Sequence, residues 1–405
     1  MNRYHKSGIG IGFLWLLGAV PAFSQIDPVG RELVQVGYNA ALQGKPPISA
    51  YAFYYHNHPE FLRSNLTLRL ALAPTYLDSE LGFRSALGMH TDLGLGLAGG
   101  GFADSYAEIR GGKYLEEESF VGHGAELNLS VYHRFNPAGM IPLNGVLRVF
   151  GRYTAFNADS DTADDFVVPD DMGRFGLRAG LRWGGREPVL FPSLAMEISA
   201  WYEGEYRTQD DVYGYGDREI EKFAHSYWLQ ALLAYTIPKC EHQFYVSLTL
   251  GGSVTPDRLS AYRLGALLPL VSEFPLSLPG YYYQEISAER FVLFGANYLV
   301  PITPDRRWNL NVQVTTAVVD YLPGLEQPGD WHTGVGGGIV YRSPSWKVML
   351  GYAYGVDAIR SGERGAHSVG LLLQLDLERA KEAWIKPEPA GRWRGVQRIL
   401  GVLGN

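Results

Sequence analysis

Apolar and polar residues alternate along most of this chain, and after residue 24 no apolar run is long enough to form a membrane helix. In residues 66–72 (LTLRLAL) every second residue is leucine, with Thr67, Arg69 and Ala71 between them. The same period of two recurs at residues 127–131, 246–250, 308–314 and 371–377. Successive side chains of a strand point to opposite faces, so the pattern predicts β-strands with one apolar and one polar face.

Two folds present such strands. In a soluble β-sandwich the polar faces meet bulk water, whereas in an outer-membrane barrel the apolar faces meet lipid and the polar faces line the lumen. Arg69, Arg148 and Arg152 fall in mid-strand positions, and the chain has 26 Tyr. A polar lumen accepts such arginines, tyrosine is frequent at membrane interfaces, and only helices and closed barrels satisfy their backbone in lipid. The sequence therefore predicts an all-β protein, a transmembrane antiparallel β-barrel of about 16 strands (14–18).

Sixteen segments carry the alternation strongly enough to be predicted as strands. They lie near residues 48–56, 64–73, 78–86, 91–101, 124–134, 145–156, 173–184, 194–206, 224–236, 243–252, 260–270, 288–300, 308–320, 332–342, 346–355 and 367–377. Long and short connections should alternate around such a barrel. The connections at 238–241 and 253–260 are both short, which indicates a strand gained or lost between residues 190 and 260.

The N-terminus has the features of an export signal. Arg3 and Lys6 precede an apolar run at residues 8–20, and Ala22 and Ser24 give the small-x-small pattern that signal peptidase accepts. A membrane helix needs roughly 20 apolar residues, so cleavage after residue 24 is favoured over a retained anchor. The predicted organisation is a signal peptide at 1–24, a short periplasmic tether at 25–47, an outer-membrane barrel at 48–377 and a basic periplasmic tail at 378–405.

The tail leaves two interpretations open. From Arg379 onward it has six basic residues and two acids, and Trp393, Ile399 and Leu403 recur at helical spacing. An amphipathic helix that lies on the periplasmic leaflet or docks a partner would show this pattern. Four glycines and two prolines fit a disordered tail equally well.

Charge and cysteine content exclude two classes of protein. The formal net charge is -7, and loss of Arg3 and Lys6 with the signal makes it more negative. Nucleic-acid binding needs a basic surface, so no nucleic-acid partner is expected. A single cysteine, Cys240, excludes an internal disulfide framework.

Two stretches resemble ligand-binding motifs but do not indicate a binding site in a barrel. Residues 94–99 (GLGLAG) match the dinucleotide fingerprint, but GGFADSY follows where that motif needs a helix, so the glycines are interpreted as strand positions. The acidic run at 157–171 offers oxygen ligands for calcium but lacks the spacing of a calcium-binding loop. A solvated loop is favoured there. No metal site and no cofactor are predicted.

The sequence also shows no convincing pair of a catalytic nucleophile and its base. His225 lies beside Ser226 and His367 beside Ser368, but neighbours on a strand point to opposite faces and cannot form the hydrogen bond that a catalytic base needs. His123 near Glu126 is no more specific, and there is no G-x-S-x-G or H-E-x-x-H motif. The sequence predicts no catalytic residues, and a lipid-modifying enzyme is a distant third interpretation.

The C-terminal third resembles a known family. The stretches that carry the likeness are AYRLGALLPLV, LPGYYYQEIS, RFVLFGANYLVPI, VVDYL and GVGGGIVYRSPSWKVMLGYAYG, within residues 258–377. They resemble the BamA/TamA outer-membrane assembly family, also called the bacterial surface antigen family. That resemblance implies a sixteen-stranded barrel whose long loop between strands eleven and twelve folds into the lumen and carries a [VI]-R-G-[YF] tetrad.

The family's motif residues map onto this chain in part. The tetrad falls on Leu278, Pro279, Gly280 and Tyr281, so proline replaces the family's arginine. The aspartate that this arginine reaches in the family aligns with Asp320, which stays a candidate contact of the loop although the arginine lock is absent. The family's G-x-G-x-x-x-x-S-P hairpin aligns with Gly336, Gly338, Ser343 and Pro344.

The loop at residues 273–287 (EFPLSLPGYYYQEIS) is unusually apolar for a connection between strands. If it enters the lumen, its prolines reduce the entropy lost on ordering, Gly280 allows a tight turn, and three tyrosines bury ring area while their hydroxyls find polar partners. The alternative is an aromatic loop exposed at the membrane interface. The low charge and the family likeness favour the lumen.

The resemblance implies a function in membrane biogenesis. Members that assemble or translocate protein have large periplasmic domains before the barrel, whereas residues 25–47 are too few for a folded domain. We therefore expect an outer-membrane protein of a Gram-negative envelope, surrounded by outer-membrane lipid, that inserts or exports protein or lipid with a separate periplasmic partner protein. The alternative is a porin-like diffusion channel or a substrate-specific transporter with an open, arginine-lined pore.

Overall fold

The alternating segments form one closed wall. The computed structural model describes residues 26–270 and 272–385, and within them sixteen antiparallel strands form a barrel. The predicted fold class is confirmed. The predicted signal peptide and the tail beyond residue 385 lie outside the described residues.

The sixteen wall strands are accompanied by four short strands in the connections. The elements are β1 (Arg31–Ala41), β2 (Ala50–Pro59), β3 (Leu66–Leu72), β4 (Tyr76–Phe83), β5 (Thr91–Gly100), β6 (Tyr106–Arg110), β7 (Lys113–Arg134), β8 (Leu143–Ala158), β9 (Met172–Gly185), β10 (Leu194–Arg207), β11 (Val212–Tyr213), β12 (Arg218–Glu219), β13 (Phe223–Thr236), β14 (Gln243–Val254), β15 (Tyr262–Leu264), β16 (Ile286–Pro301), β17 (Trp308–Tyr321), β18 (Trp331–Arg342), β19 (Trp346–Arg360), β20 (Glu363–Asp376) and α1 (Leu377–Ile385). The short strands β6, β11, β12 and β15 lie in the connections.

The wall closes where the last strand meets the first. Strand β20 pairs antiparallel with β1, in a register that runs from Leu33 opposite Asp376 to Ala41 opposite Ser368. We call this pairing the seam. No strand edge of the wall is left open in the described part of the chain, as a structure surrounded by lipid requires.

The two faces of the wall have the polarity expected of a membrane barrel. In β17 the side chains of Leu310 and Val312 are exposed on the outside, whereas Asn309, Asn311 and Gln313 are buried inside. Large exposed apolar residues follow the same rule on other strands, including Leu127, Leu147, Leu181, Ile198, Leu229 and Leu350. An apolar exterior of this extent around a polar interior is the reverse of a water-soluble fold.

The one described helix, α1, is neither long nor apolar enough to cross a membrane.

The prediction of a tether at 25–47 is wrong for its central part. Residues 31–41 are the first barrel strand, with Gln35 and Asn39 buried inside and Tyr38 exposed outside. The alternation is present in this segment, but Gly37 and Asn39 have low strand propensity, which weakens the signal. Pairing with two neighbouring strands holds the segment in the wall.

The predicted strand at 260–270 is also wrong as part of the wall. Only Tyr262–Leu264 is extended there, as β15, and the chain beyond it enters the lumen. Its alternating apolar residues pack inside the barrel, so burial gives a pattern that sequence alone cannot distinguish from a lipid-facing strand. The sequence prediction missed β1 and counted residues 260–270 as a strand. These two errors cancel, so the predicted count of sixteen agrees with the structure.

The two ends of the barrel differ in the length of their connections. Short turns join the strands at 60–65, 84–90, 237–242, 302–307 and 343–345, and the start of β1 and the end of β20 lie at this same short-turn end. The opposite, long-loop end carries connections such as 159–171, 208–222 and 255–285. In bacterial barrels the short turns face the periplasm and the long loops face outward.

Outward leucines should be in contact with lipid. Leu229, at the centre of β13, is 52% exposed, and we expect Leu229→Arg to lower the free energy of unfolding in lipid vesicles by about 2–4 kcal/mol. The control is Ser247→Arg on β14, which points an arginine into the lumen and should cost much less. Reversible urea unfolding in vesicles measures both. Equal, small effects would contradict a lipid-facing exterior.

Candidate functional site: the luminal loop and its cavity

A long connection enters the barrel from the long-loop end. Residues 255–285 join β14 to β16, which are the eleventh and twelfth strands of the wall, as the family resemblance implied. Strand β15 pairs with the start of β16, and Gly265 then bridges to Ser277, which closes residues 266–276 into a lobe. We call residues 265–285 the luminal loop. The structure places it inside the barrel and not at the membrane interface.

The lobe is fixed to the wall by charge and by aromatic rings. Glu273 accepts a hydrogen bond from Arg182 of β9 at 2.5 Å, and Phe274 packs edge-on against Trp201 and Trp228 of neighbouring strands. Glu273 is half exposed to the luminal space; desolvation inside the barrel would raise its pKa, but the Arg182 guanidinium outweighs this and lowers the pKa to about 2. Glu273 is therefore ionised at neutral pH, and the ion pair with Arg182 persists.

Apolar contacts continue toward the short-turn end. Leu267 and Leu270 of the lobe pack against a buried cluster. Its members come from four strands of the wall and one turn: Leu299, Val340, Met349 and Leu372 from the strands and Leu190 from the turn. The lobe thus reaches the inward residues of β16, β18, β19 and β20 near their short-turn ends, which spans much of the depth of the barrel.

The predicted tetrad forms the part of the loop that lies closest to the wall. Leu278 and Tyr281 are fully buried. Gly280 has a φ of +87°, and a Cβ added there would lie 2.0 Å from the backbone nitrogen of Gly355 in β19. Likewise a Cβ at Gly334 in β18 would lie 2.2 Å from the carbonyl oxygen of Pro279. Loop backbone and wall backbone meet through glycines because no side chain fits between them.

A buried histidine links the tetrad to the wall. The Tyr281 hydroxyl lies 3.2 Å from Nδ1 of His332 on β18, and the Tyr321 hydroxyl of β17 bonds Nε2 of the same ring. Tyr321 donates its own proton to the carbonyl of Gly329 at 2.7 Å. A neutral imidazole that donates from Nε2 and accepts from Tyr281 at Nδ1 satisfies all three groups.

An ion pair fixes the end of the loop. Glu285 receives two hydrogen bonds of 2.8 Å from Arg360 at the end of β19, and both side chains are almost fully buried. The guanidinium also stacks 3.5 Å from the ring centroid of Tyr282, whose hydroxyl donates to the Gln43 carbonyl. A bidentate pair of this kind fixes direction as well as distance. Glu285 and Arg360 belong to no motif, and sequence reasoning missed them together with His332.

Asp320 is not part of this arrangement. It lies on the outer face of β17, is well exposed and pairs with Arg290 of β16 at 3.2 Å. Its neighbour Tyr321 points inward and contacts the tetrad through His332. The prediction that Asp320 contacts the loop is wrong because a shift of one residue along a strand exchanges the two faces.

The predicted hairpin residues lie in β18 and in the turn that follows it. Gly336 and Gly338 continue the inward row of Gly334, and a Cβ on Gly338 would lie 2.2 Å from the Leu350 carbonyl oxygen of β19. Ser343 accepts a hydrogen bond from the Trp346 amide at 3.1 Å and closes the turn, in which Pro344 follows. These four residues shape the part of the wall and its turn beside the loop.

The remaining sequence motifs have structural partners. Gly96 of the GLGLAG segment leaves room for Asn128, since an added Cβ would lie 2.3 Å from its Oδ1. In the acidic run Asp171 accepts a hydrogen bond from the Phe156 amide. His225 pairs with Tyr202, and no group of three or more potential metal ligands occurs in the described ranges 26–270 and 272–385.

Beside the loop the lumen contains a cavity of about 1580 Å³. Arginines on its lining are paired with acids: Arg69 with Asp78, Arg148 with Glu80, Arg178 with Glu203, and Arg182 with Glu197 and Glu273. Neutral polar side chains of β13, β14 and β17 complete it, including Gln230, Ser247, Thr249 and Gln313. The cavity exceeds the roughly 1,000 Å³ of a large small-molecule pocket, and its lining carries these charged and polar groups among apolar side chains.

The close approach of Gly280 to the wall gives a test of loop docking. We expect Gly280→Ala to displace the tetrad and to accelerate amide hydrogen exchange at residues 278–285 by roughly tenfold or more. Gly362→Ala is the matched control, since Gly362 has a φ of +84° but no atom within 4 Å of an added Cβ. It carries the same backbone strain, of about 1–2 kcal/mol, without the clash. Similar exchange in both variants would contradict the contact.

The geometry of the whole barrel can be compared with known structures. No family model matches the chain, and no curated protein sequence matches it. Solved structures do match. CdiB from Acinetobacter baumannii aligns with a TM-score of 0.55 and 11% identity over 85% of this chain and 60% of its own length.

Two further structures give the same result. CdiB from Escherichia coli aligns with a TM-score of 0.56 and 9% identity over 86% of this chain and 63% of its own. BamA from Haemophilus ducreyi lacking POTRA domains 1–3 aligns with a TM-score of 0.52 and 12% identity over 85% of this chain and 70% of its own. The chain thus spans less than two thirds of either CdiB. At these identities the comparison establishes the fold: this chain shares the barrel of BamA and CdiB.

Proposed function

We propose that this protein serves membrane biogenesis in the bacterial outer membrane, where it inserts or exports protein or lipid. The observation that carries the proposal is the luminal loop, which is docked on the wall by the Glu285–Arg360 pair and by the glycine contacts of the tetrad. A loop fixed in this way narrows the aqueous channel that a sixteen-stranded diffusion pore leaves. The barrel fold that this chain shares with BamA and CdiB also supports the proposal.

In this proposal the seam is the route by which a client reaches lipid. The pairing of β1 with β20 is the one place where the wall joins residues from opposite ends of the chain, so it can part without breaking a hairpin. The predicted export signal and the apolar exterior support an outer-membrane location. A separate periplasmic protein would deliver clients at the short-turn end.

The proposal includes no catalytic step. His367, which the sequence places beside Ser368, bonds the Tyr352 hydroxyl of the neighbouring strand. Ser368 points inward and is fully buried. His367 and Ser368 therefore do not pair with each other as the base and nucleophile of a hydrolase.

The cavity supports a second candidate function. A space of about 1580 Å³ beside the loop, with paired charges on its lining, would let small hydrophilic solutes pass if it connects both ends of the barrel. A porin-like channel or a substrate-specific transporter would use the paired arginines and acids of its lining as a selectivity filter. Steady conductance of the intact protein would favour this candidate.

Assisted insertion tests the first candidate. The protein in lipid vesicles should accelerate the folding of an urea-unfolded, eight-stranded outer-membrane barrel several-fold over empty vesicles. A disulfide across the seam should abolish this effect and a reductant should restore it. The pair Val36→Cys with Leu373→Cys, in a Cys240→Ser background, joins residues that face each other in the ladder, where Cα atoms lie about 4.5–5.5 Å apart.

A second disulfide serves as the matched control. Leu233→Cys with Val246→Cys joins outward residues that face each other in β13 and β14, away from the seam. It should leave the acceleration unchanged. No acceleration by the unlinked protein, or equal inhibition by both disulfides, would contradict a role of the seam in insertion.

A further inference from the structure

One connection at the short-turn end folds inward instead of forming a simple hairpin. Residues 186–193 (REPVLFPS), between β9 and β10, carry two prolines, and Phe191 has a φ of +49°. Leu190 at its centre is only 3% exposed and packs in the cluster that also receives Leu267 and Leu270 of the luminal loop. We call residues 186–193 the luminal turn.

The luminal turn bonds both strands of the seam from inside the barrel. The side-chain amide Nε2 of Gln35 on β1 donates to the Pro188 carbonyl at 3.0 Å and to Oε1 of Gln374 on β20 at 3.1 Å. The same Oε1 accepts a hydrogen bond from the backbone N–H of Leu190 in the turn at 2.7 Å. The two glutamines and the turn thus form one buried network that spans the seam.

A charge pair adds to this network at its solvent side. Arg31, at the start of β1, contacts Glu187 of the turn at 3.3 Å and Asp27 at 3.0 Å. Because Glu187 is partly exposed, this pair contributes less than the buried amides. It extends the attachment of the turn to the first residue of the strand.

Further hydrogen bonds attach the turn to β19, which lies beside the seam, and to β14. Lys347 of β19 donates to the Leu190 carbonyl, and the Gln243 amide of β14 donates to the Pro192 carbonyl. Arg186 donates to the Glu273 carbonyl of the luminal loop at 2.5 Å. The turn therefore bridges the short-turn mouth from the seam to β14 and contacts the lobe on the way.

We propose that the luminal turn is a strap that holds the seam closed and couples it to the luminal loop. Parting of β1 from β20 separates Gln35 from Gln374, and the turn cannot follow both strands. Buried amides would lose their partners in that step, which makes parting costly. Movement of the lobe removes the partner of Arg186 and uncovers Leu190, so loop displacement weakens the strap. The strap does not depend on what the barrel transports.

Hydrogen exchange in lipid nanodiscs tests the strap. In Gln374→Leu the network loses its shared acceptor while the backbone ladder is retained. Loss of two buried hydrogen bonds should accelerate exchange of the β1 and β20 amides by about tenfold. The control is Gln230→Leu, which removes a buried luminal glutamine on β13 away from the seam. Its seam amides should exchange at the wild-type rate.

A second variant keeps the test decisive if one substitution perturbs folding. Replacing residues 187–192 by Gly-Asn-Gly keeps β9 and β10 and removes the strap. Faster exchange confined to β1, β20 and the luminal loop would support the proposal. Unchanged seam exchange in both variants would overturn it, and so would equal acceleration on β13 and β14, because that result indicates general destabilisation.

Discussion

A closed wall of sixteen strands is wider than its own side chains can fill, and the rest of the structure follows from that constraint. Barrels of about eight strands are filled by inward side chains, whereas those of sixteen to eighteen leave an aqueous channel. Closure itself is required because lipid offers no partner for an open strand edge. This chain occupies part of the resulting space with two of its own connections. The luminal loop enters from the long-loop end, the luminal turn enters from the short-turn end, and they meet at Leu190 and Glu273. A cavity of about 1580 Å³ is left beside them.

Loop docking is specified mainly by geometry. Gly334 on β18 and Gly355 on β19 let the loop backbone lie directly on the wall, which only small residues permit. The Glu285–Arg360 pair is almost fully buried, so the cost of removing both charges from water offsets much of their attraction. Such a pair is best understood as fixing one position of the loop, since a displaced loop would leave an unpaired buried charge. The arginine of this pair comes from the wall and its acid from the loop.

Much of the fold can be predicted from the sequence because the membrane imposes a simple rule on each strand. Outward residues such as Leu310 and inward residues such as Asn311 alternate clearly, so most strands are recognised. Alternation fails to identify wall strands where the residue types or the environment of a segment differ from those of the other strands. Residues 31–41 combine weak strand formers with a polar inner face, and residues 260–270 alternate because they pack inside the lumen. The tetrad at 278–281 could be located through its resemblance to a family. The roles of Glu285, Arg360, His332 and Gln374 could not be predicted in this way. Glu285 and Arg360 are 75 residues apart, Tyr281 and His332 are 51 apart, and Gln35 and Gln374 are 339 apart, and none of these pairs follows a local pattern.

Single-channel conductance in planar bilayers tests the proposal that the docked luminal loop obstructs ion flow through the barrel. The variant to compare with the intact protein lacks residues 266–284. Its cut ends are neighbours, since a Cβ on Gly265 would lie 3.0 Å from the Glu285 nitrogen. Deletion of residues 160–165 from the acidic loop at the same end is the control. The account predicts an almost silent intact protein and control, and large steady conductance after the loop is removed. Large conductance of the intact protein that the deletion does not change would contradict it and would identify the barrel as a pore.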